Sequence, residues 1–140
     1  MITSTSNAQI KELAKLQKKS RLRDEKGIFL VEGPRMTEEI PAERIEKVYA
    51  SESFAKKNKE FSEKLQAPVE LLTDTVFAYV SDTKTPQGIL AIVKRLNYTM
   101  NDLMQMKNQK APHLVVLDNL QDPGNLGTIF RTAEAAGVTG

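Results

Sequence analysis

The residues best placed to do chemistry in this 140-residue chain stand close to its end. The stretch Asp122-Pro123-Gly124-Asn125-Leu126-Gly127-Thr128-Ile129-Phe130-Arg131 joins a Pro/Gly turn to an amphipathic helical pattern. Leu126, Ile129, Phe130 and Ala133 recur at i, i+3, i+4 and i+7 and mark one apolar face. At about 100° per residue, Arg131 points roughly 150° away from the centre of that face, and Gly124, Gly127 and Thr128 project broadly with it. The expected helix therefore buries Leu126, Ile129 and Phe130 and offers small residues, one hydroxyl and one guanidinium. Two glycines within a turn of a helix start cost helix propensity and mark close approach to the backbone. An ordinary exposed arginine is the alternative. A phosphate loop is poorly supported, because Thr128 follows Gly127 rather than lysine, and G-N-L-G is not the dinucleotide G-x-G-x-x-G. With no cysteine and a lone His113, no thiolate nucleophile and no metal site is expected.

A second group of side chains is basic. Residues 1–23 hold Lys11, Lys15, Lys18, Lys19, Arg21 and Arg23 against the single acid Glu12, a local charge of +5. The whole chain carries only +2, so the other 117 residues carry −3. That asymmetry is a footprint for a polyanion; a solvated helix with cations near its C-terminus fits the same residues. Hydrophobic content of 40% and charged content of 27% suit a globular domain. No apolar run approaches a membrane span, and the N-terminus lacks a signal-peptide pattern, so a cytoplasmic location is expected.

The elements that must position these groups alternate along the chain. Ser4, Ser6 or Asn7 caps a helix from about Ala8 to Leu22, with Ile10, Leu13 and Leu16 inward. Ile28 to Val31 reads as a buried strand, and Glu32-Gly33-Pro34-Arg35 turns into a short helix that Pro41 ends. Ile45 to Ala50 is a second strand, and Ser51 caps a polar helix to about Leu65 with Phe54, Phe61 and Leu65 inward. Pro68 to Leu72 is a third strand, Thr73 to Val80 a short helix, and Ile89 to Val93 a fourth strand after the polar loop 81–87. This spacing predicts an α/β fold, a small α/β/α sandwich with a largely parallel sheet, closing near Arg95. Residues 96–112 form a connection in which Leu103, Met104 and Met106 make a short helix, beside Asn108 and Gln109. His113 to Leu117 is a fifth strand leading into the turn and helix described above.

The stretch L-D-N-L-Q-D-P-G-N-L-G-T-I-F-R-T-A-E-A-A-G resembles the first motif of the SpoU/TrmH RNA 2′-O-ribose methyltransferases of the SPOUT superfamily. Asp122, Pro123, Asn125, Gly127, Arg131 and Ala133 all stand in that pattern. Upstream, I-T-S-T-S-N-A-Q-I-K-E-L-A-K-L, F-L-V-E-G-P-R and S-D-T-K-T-P-Q-G-I-L-A-I-V are similar to the same family's amino-terminal substrate-binding domain, which resembles RNA-gripping ribosomal proteins. The resemblance implies an RNA substrate-binding domain over 1–95, a linker over 96–112, and over 113–140 the first strand and helix of a trefoil-knot SPOUT domain, here incomplete.

The resemblance further implies methyl transfer from S-adenosylmethionine to a ribose 2′-hydroxyl, in ribosomal RNA. Arg131 aligns with the family's catalytic arginine. Guanidinium groups hold their proton too tightly to serve as general bases, so the role implied is a cation that steadies negative charge on the 2′-oxygen. Asn125 would hold that arginine or the ribose through its amide. Lys15, Lys18, Lys19, Arg21, Arg23, Arg35 and Lys84 are the candidate RNA contacts, salt-dependent and weakly sequence-specific. The family's cofactor motifs lie past the last residue, so no cofactor ligand is assigned, and this length of chain is expected neither to bind the cofactor nor to knot. Full-length relatives are expected to dimerise. The alternatives are a stand-alone ribosomal-protein-like RNA-binding module without catalysis, and a nucleotide-binding domain cut after its first glycine loop.

Overall fold

The computed structural model describes residues 1–65, 67–105 and 111–140, which divide into two compact units, Met1–Arg95 and Leu96–Gly140. In the first unit, α1 (Ala8–Lys18) and α2 (Ser20–Lys26) precede β1 (Ile28–Glu32) and α3 (Pro34–Glu38). After one 3-10 turn come β2 (Ile45–Ser51), α4 (Glu52–Lys57), α5 (Lys59–Lys64), β3 (Val69–Leu72), α6 (Asp74–Val80) and β4 (Ile89–Lys94).

The sheet has the order β1-β4-β2-β3. Its centre is β4, whose residues Ile89 to Val93 are all buried. Alternate side chains of a strand point to opposite faces. Leu90 and Ile92 meet Ile10, Leu13, Leu16, Phe77 and Val80 on one face. Ile89, Ala91 and Val93 meet Val31, Val48, Phe54, Phe61 and Leu65 on the other. An apolar run covered by helices on both sides belongs in the middle of a sheet, and the layered sandwich follows.

Strand direction departs from the sequence expectation. Only β2 and β3 are parallel; β4 runs antiparallel to both β1 and β2. Alternating apolar and helical segments mark strands but carry no sense of direction. Direction is set by loop 81–87, which is fastened to Glu32 at the end of β1 through Ser81, Thr83 and Gln87. Strand β4 therefore starts where β1 finishes.

Two expected long helices are each broken once. Lys19 is extended (φ −118°, ψ 97°) between α1 and α2. Leu22 lies nine residues beyond Leu13, about half a turn out of phase on one continuous helix; the break lets it pack on the same core. Asn58 divides α4 from α5, its Nδ2 donating to the Phe54 carbonyl at 3.0 Å, an amide competing with the helical backbone pattern. Phe54 and Phe61 still meet edge-to-face, with centroids 5.6 Å apart.

In the second unit, α7 (Met100–Met104) carries a capping box between Thr99 and Asp102. Leu103 and Met104 lie in or at the end of this helix, whereas Met106, Asn108 and Gln109 lie outside the described residues. Helix α8 (Pro123–Ala135) starts earlier than expected. Asp122 is its N-cap and Pro123 its first residue, so D-P-G-N forms the first turn rather than a preceding loop. It ends with Gly137 left-handed (φ 71°), the Val138 N–H bonding to the Ala133 carbonyl and the Gly137 N–H to that of Glu134, a Schellman closure. His113 to Leu117 forms no strand, contrary to expectation. A strand exists through its ladder, and this run has only two backbone bonds among the described residues, Val115 N–H to Gly140 and Thr139 N–H to His113.

Gly88 sits at φ 79°, and a Cβ there would stand 2.7 Å from the Cβ of Phe54. Gly88→Ala is expected to lower stability by about 1–3 kcal/mol, measured as a reduced urea midpoint; an unchanged midpoint contradicts this packing. Hydrogen bonds from the Ser53 hydroxyl and then its backbone N–H hold the Asp74 carboxyl below the usual aspartate range. A lowered pKa stabilises the fold above the unfolded-state value and loses that contribution as pH falls through the folded one. Ser53→Ala should flatten stability against pH below the ordinary aspartate range; an acid limb identical to the parent's contradicts the assignment.

Candidate nucleic-acid interface

Helix α1 places Ile10, Leu13 and Leu16 in the core, which turns Lys11, Lys15 and Lys18 outward. The break at Lys19 folds α2 back along α1, fixed by an ion pair of 2.9 Å between Lys26 Nζ and Glu12. Between the helices lies an open groove of about 940 Å³, lined by Lys11, Lys15, Lys18, Lys19, Arg21 and Lys26 with only Glu12 and Glu25 as acids. Those acids are engaged: Glu12 with Lys26, whose ammonium pKa it raises mainly through their hydrogen bond, and Glu25 with Arg21 at 2.9 Å. Lys11, Lys15, Lys18 and Lys19 are exposed and have no carboxylate partner among the described residues. Unpaired ammonium groups along one open groove exchange counterions readily for phosphates.

Not every basic residue named from the sequence serves this surface. Arg23 is half-buried, and its Nη1 donates to the carbonyls of Leu16 and Gln17 at 2.5 and 2.9 Å. It satisfies orphan carbonyls at the C-terminus of α1, which gives its Nη1 a structural role at the helix break. Arg21 remains 91% exposed at its side chain despite its pair with Glu25, and such surface pairs are weak. Arg35, in α3, and Lys84, in loop 81–87, are exposed but do not line the groove. Lys11, counted in the basic segment but not among the candidate RNA contacts, lines the groove as the i−4 neighbour of Lys15. Lys26 escaped the sequence reading and joins only because the chain turns back at Lys19.

The second unit presents the other candidates. Asp122 Oδ1 accepts from the N–H groups of Gly124 and Asn125 at 2.6 and 3.1 Å. Thr128 Oγ1 donates to the Gly124 carbonyl at 3.1 Å, and Arg131 Nη2 donates to Thr128 Oγ1 at 3.2 Å. The guanidinium thus folds back over the glycine side of α8, with Nη1 3.6 Å from where a Gly127 Cβ would stand. The shared side of Gly127, Thr128 and Arg131 matches the helical phase read from sequence. Asn125 does not hold Arg131; Thr128 does, one turn nearer along the helix. Leu126 and Ile129 are only half-buried and Phe130 is 62% exposed, so the apolar face read from sequence is left partly uncovered among the described residues. Ile129, Phe130 and Ala133 line a shallow apolar groove of about 320 Å³ with Val115 and Leu117.

Among the described residues no cluster of acids and His could hold a metal ion, and no helix is long and apolar enough to cross a membrane. Residues 7–91 match the family model of the MRM3-like substrate binding domain. The chain is 32% identical over 140 residues to the 23S rRNA (guanosine(2553)-2′-O)-methyltransferase RlmP of Bacillus subtilis, covering 98% of this chain and 51% of that protein. A segment of 56 residues, 37% of the chain, is 50% identical to the 23S rRNA (guanosine-2′-O-)-methyltransferase RlmB of Haemophilus ducreyi and covers 22% of it. The AdoMet-bound rRNA methyltransferase from Sinorhizobium meliloti superposes with a TM-score of 0.68 at 26% identity, over 99% of this chain and 52% of that one. The chain spans about half the length of the relatives that it matches along its whole extent. The chain therefore belongs to the SpoU/TrmH RNA methyltransferase family, with residues 7–91 as its MRM3-like substrate-binding domain.

Proposed function

We propose that this chain acts in the 2′-O-ribose methylation of RNA, ribosomal RNA foremost, within a cytoplasmic enzyme that dimerises. Residues 1–95 grip the RNA, 96–112 connect, and 113–140 begin the catalytic domain. The observation that carries this reading is the groove of unpaired lysines between α1 and α2, inside the stretch that matches a substrate-binding domain. The relatives that match from end to end carry rRNA methyltransferase names, which favours methyl transfer over a stand-alone binding module.

S-adenosylmethionine, when bound, supplies the methyl group as an electrophile. The described residues of 96–140 do not fit it: their groove is apolar, with Glu134 as the one charged lining side chain, whereas a cofactor of this polarity needs convergent polar groups. The role proposed for the described residues is toward the substrate. Arg131, held by Thr128 over the small residues of α8, offers a planar pair of donors to an RNA backbone and to negative charge growing on the attacking 2′-oxygen. Asn125, exposed nearly two turns before Arg131, is left to orient the ribose through its amide.

Charge reversal at Lys18 and Lys19 together should weaken binding of a labelled rRNA hairpin and lower its log–log salt slope by about 1–2; an unchanged slope would make α1 a merely solvated helix. Arg23→Lys should behave differently, lowering the melting temperature through the lost cap while leaving the salt slope intact. A reduced slope with unchanged stability would return Arg23 to the phosphate contacts. In the full-length methyltransferase, Arg131→Lys should cut single-turnover methylation by about 10²–10³ with RNA affinity nearly unchanged; near-parental turnover contradicts the role given to the guanidinium.

A further inference from the structure

The Glu32 carboxylate is surrounded by donors from one loop. Ser81 Oγ lies 2.8 and 2.9 Å from its two oxygens, Thr83 Oγ1 donates at 3.1 Å, and the Gln87 backbone N–H donates at 3.1 Å. Gly33 completes the join. Its N–H bonds to the Ile89 carbonyl at 3.0 Å, and the Gln87 amide oxygen sits 2.6 Å from where a Gly33 Cβ would stand. At φ 112° this is a backbone setting that favours glycine. The separated motifs F-L-V-E-G-P-R and S-D-T-K-T-P-Q-G are thus one structural unit, held by a carboxylate with both oxygens engaged.

This unit displays two exposed cations. Arg35 stands at the start of α3, two residues after Gly33, and Lys84 at the crest of the pinned loop; both are exposed, and neither has a carboxylate partner among the described residues. Asp82 is the one exposed acid of the loop. A lysine on a free loop loses conformational entropy when it docks on a phosphate; a loop held at both ends has already lost much of it.

We infer that Glu32 is a positioning residue for RNA binding: it touches no RNA, but by holding loop 81–87 against the Glu32-Gly33 turn it fixes Lys84 on the same structural unit as Arg35, and these two cations form a second phosphate-contacting surface, separate from the α1–α2 groove. This rests on the RNA-binding reading above. It carries a consequence opposite to simple electrostatics, because a carboxylate that acted only through its charge would repel RNA, and its removal would tighten binding.

The test is binding of the intact chain to a fluorescently labelled mixed-sequence rRNA hairpin across a salt series. Glu32→Ala should bind roughly threefold to tenfold more weakly, the scale of one or two lost phosphate contacts, with a salt slope lower by about 1. Glu32→Gln keeps an acceptor for the loop and should bind at least as tightly as the parent. Ser81→Ala with Thr83→Val, which leaves the carboxylate in place, should reproduce the Glu32→Ala loss should that variant fold poorly. On a Lys84→Ala background, Glu32→Ala should add little. Tighter or unchanged binding by both the Glu32→Ala and the Ser81/Thr83 variants, while the Lys18/Lys19 reversal still weakens it, overturns the role of Glu32 and leaves the RNA-binding reading intact. If the Lys18/Lys19 reversal also leaves binding unchanged, the RNA-binding reading falls and this inference with it.

Discussion

The five apolar residues of β4 must lose water on both faces at once, and the first unit is arranged around that requirement. Leu90 and Ile92 need one helical layer; Ile89, Ala91 and Val93 need another. Burying such side chains contributes about 1.5–3 kcal/mol each, so β4 takes the sheet interior although it is the last strand made. The hairpin α1–α2 covers one face and α4–α5 the other. The outer sides of these helices are then free to carry charge, and the lysine stripe of α1 is the polar complement of its Ile10, Leu13 and Leu16 stripe.

Arginine and lysine divide the work within this basic segment. Arg23, with its fork of donors, is taken up by backbone carbonyls at the end of α1. The lysines, as flexible point charges, are left in solvent at the groove. In α8 the same logic runs the other way. Arg131 is steadied by a neutral hydroxyl rather than a carboxylate, which fixes the direction of the guanidinium without neutralising it. The role proposed for Arg131, stabilising a growing oxyanion, calls for a cation with its charge intact.

Much of this was legible in the chain. Apolar runs located β1 to β4 within a residue or two, and Asn7 and Ser51 were legible as N-caps because hydroxyls and amides satisfy free N–H groups, whereas Thr73, read as the first helical residue, is the cap of α6. Three features were hidden for physical reasons. The sense of β4 depends on Glu32 meeting a loop about fifty residues away, which no local pattern encodes. The breaks at Lys19 and Asn58 answer to where Leu22, Phe54 and Phe61 must pack. His113 to Leu117 has the composition of a strand, but a strand is made by its neighbours, and among the described residues this run makes only two backbone bonds, with Thr139 and Gly140.

Mapping backbone amide shifts by NMR during titration with an rRNA hairpin tests the account most directly, since it reports the contact surface without altering any side chain. The account expects perturbations concentrated in residues 11–26, with a second cluster at 32–35 and 81–87, fading as salt is raised. Perturbations absent from residues 11–26, or confined to β3 and α5, would contradict it.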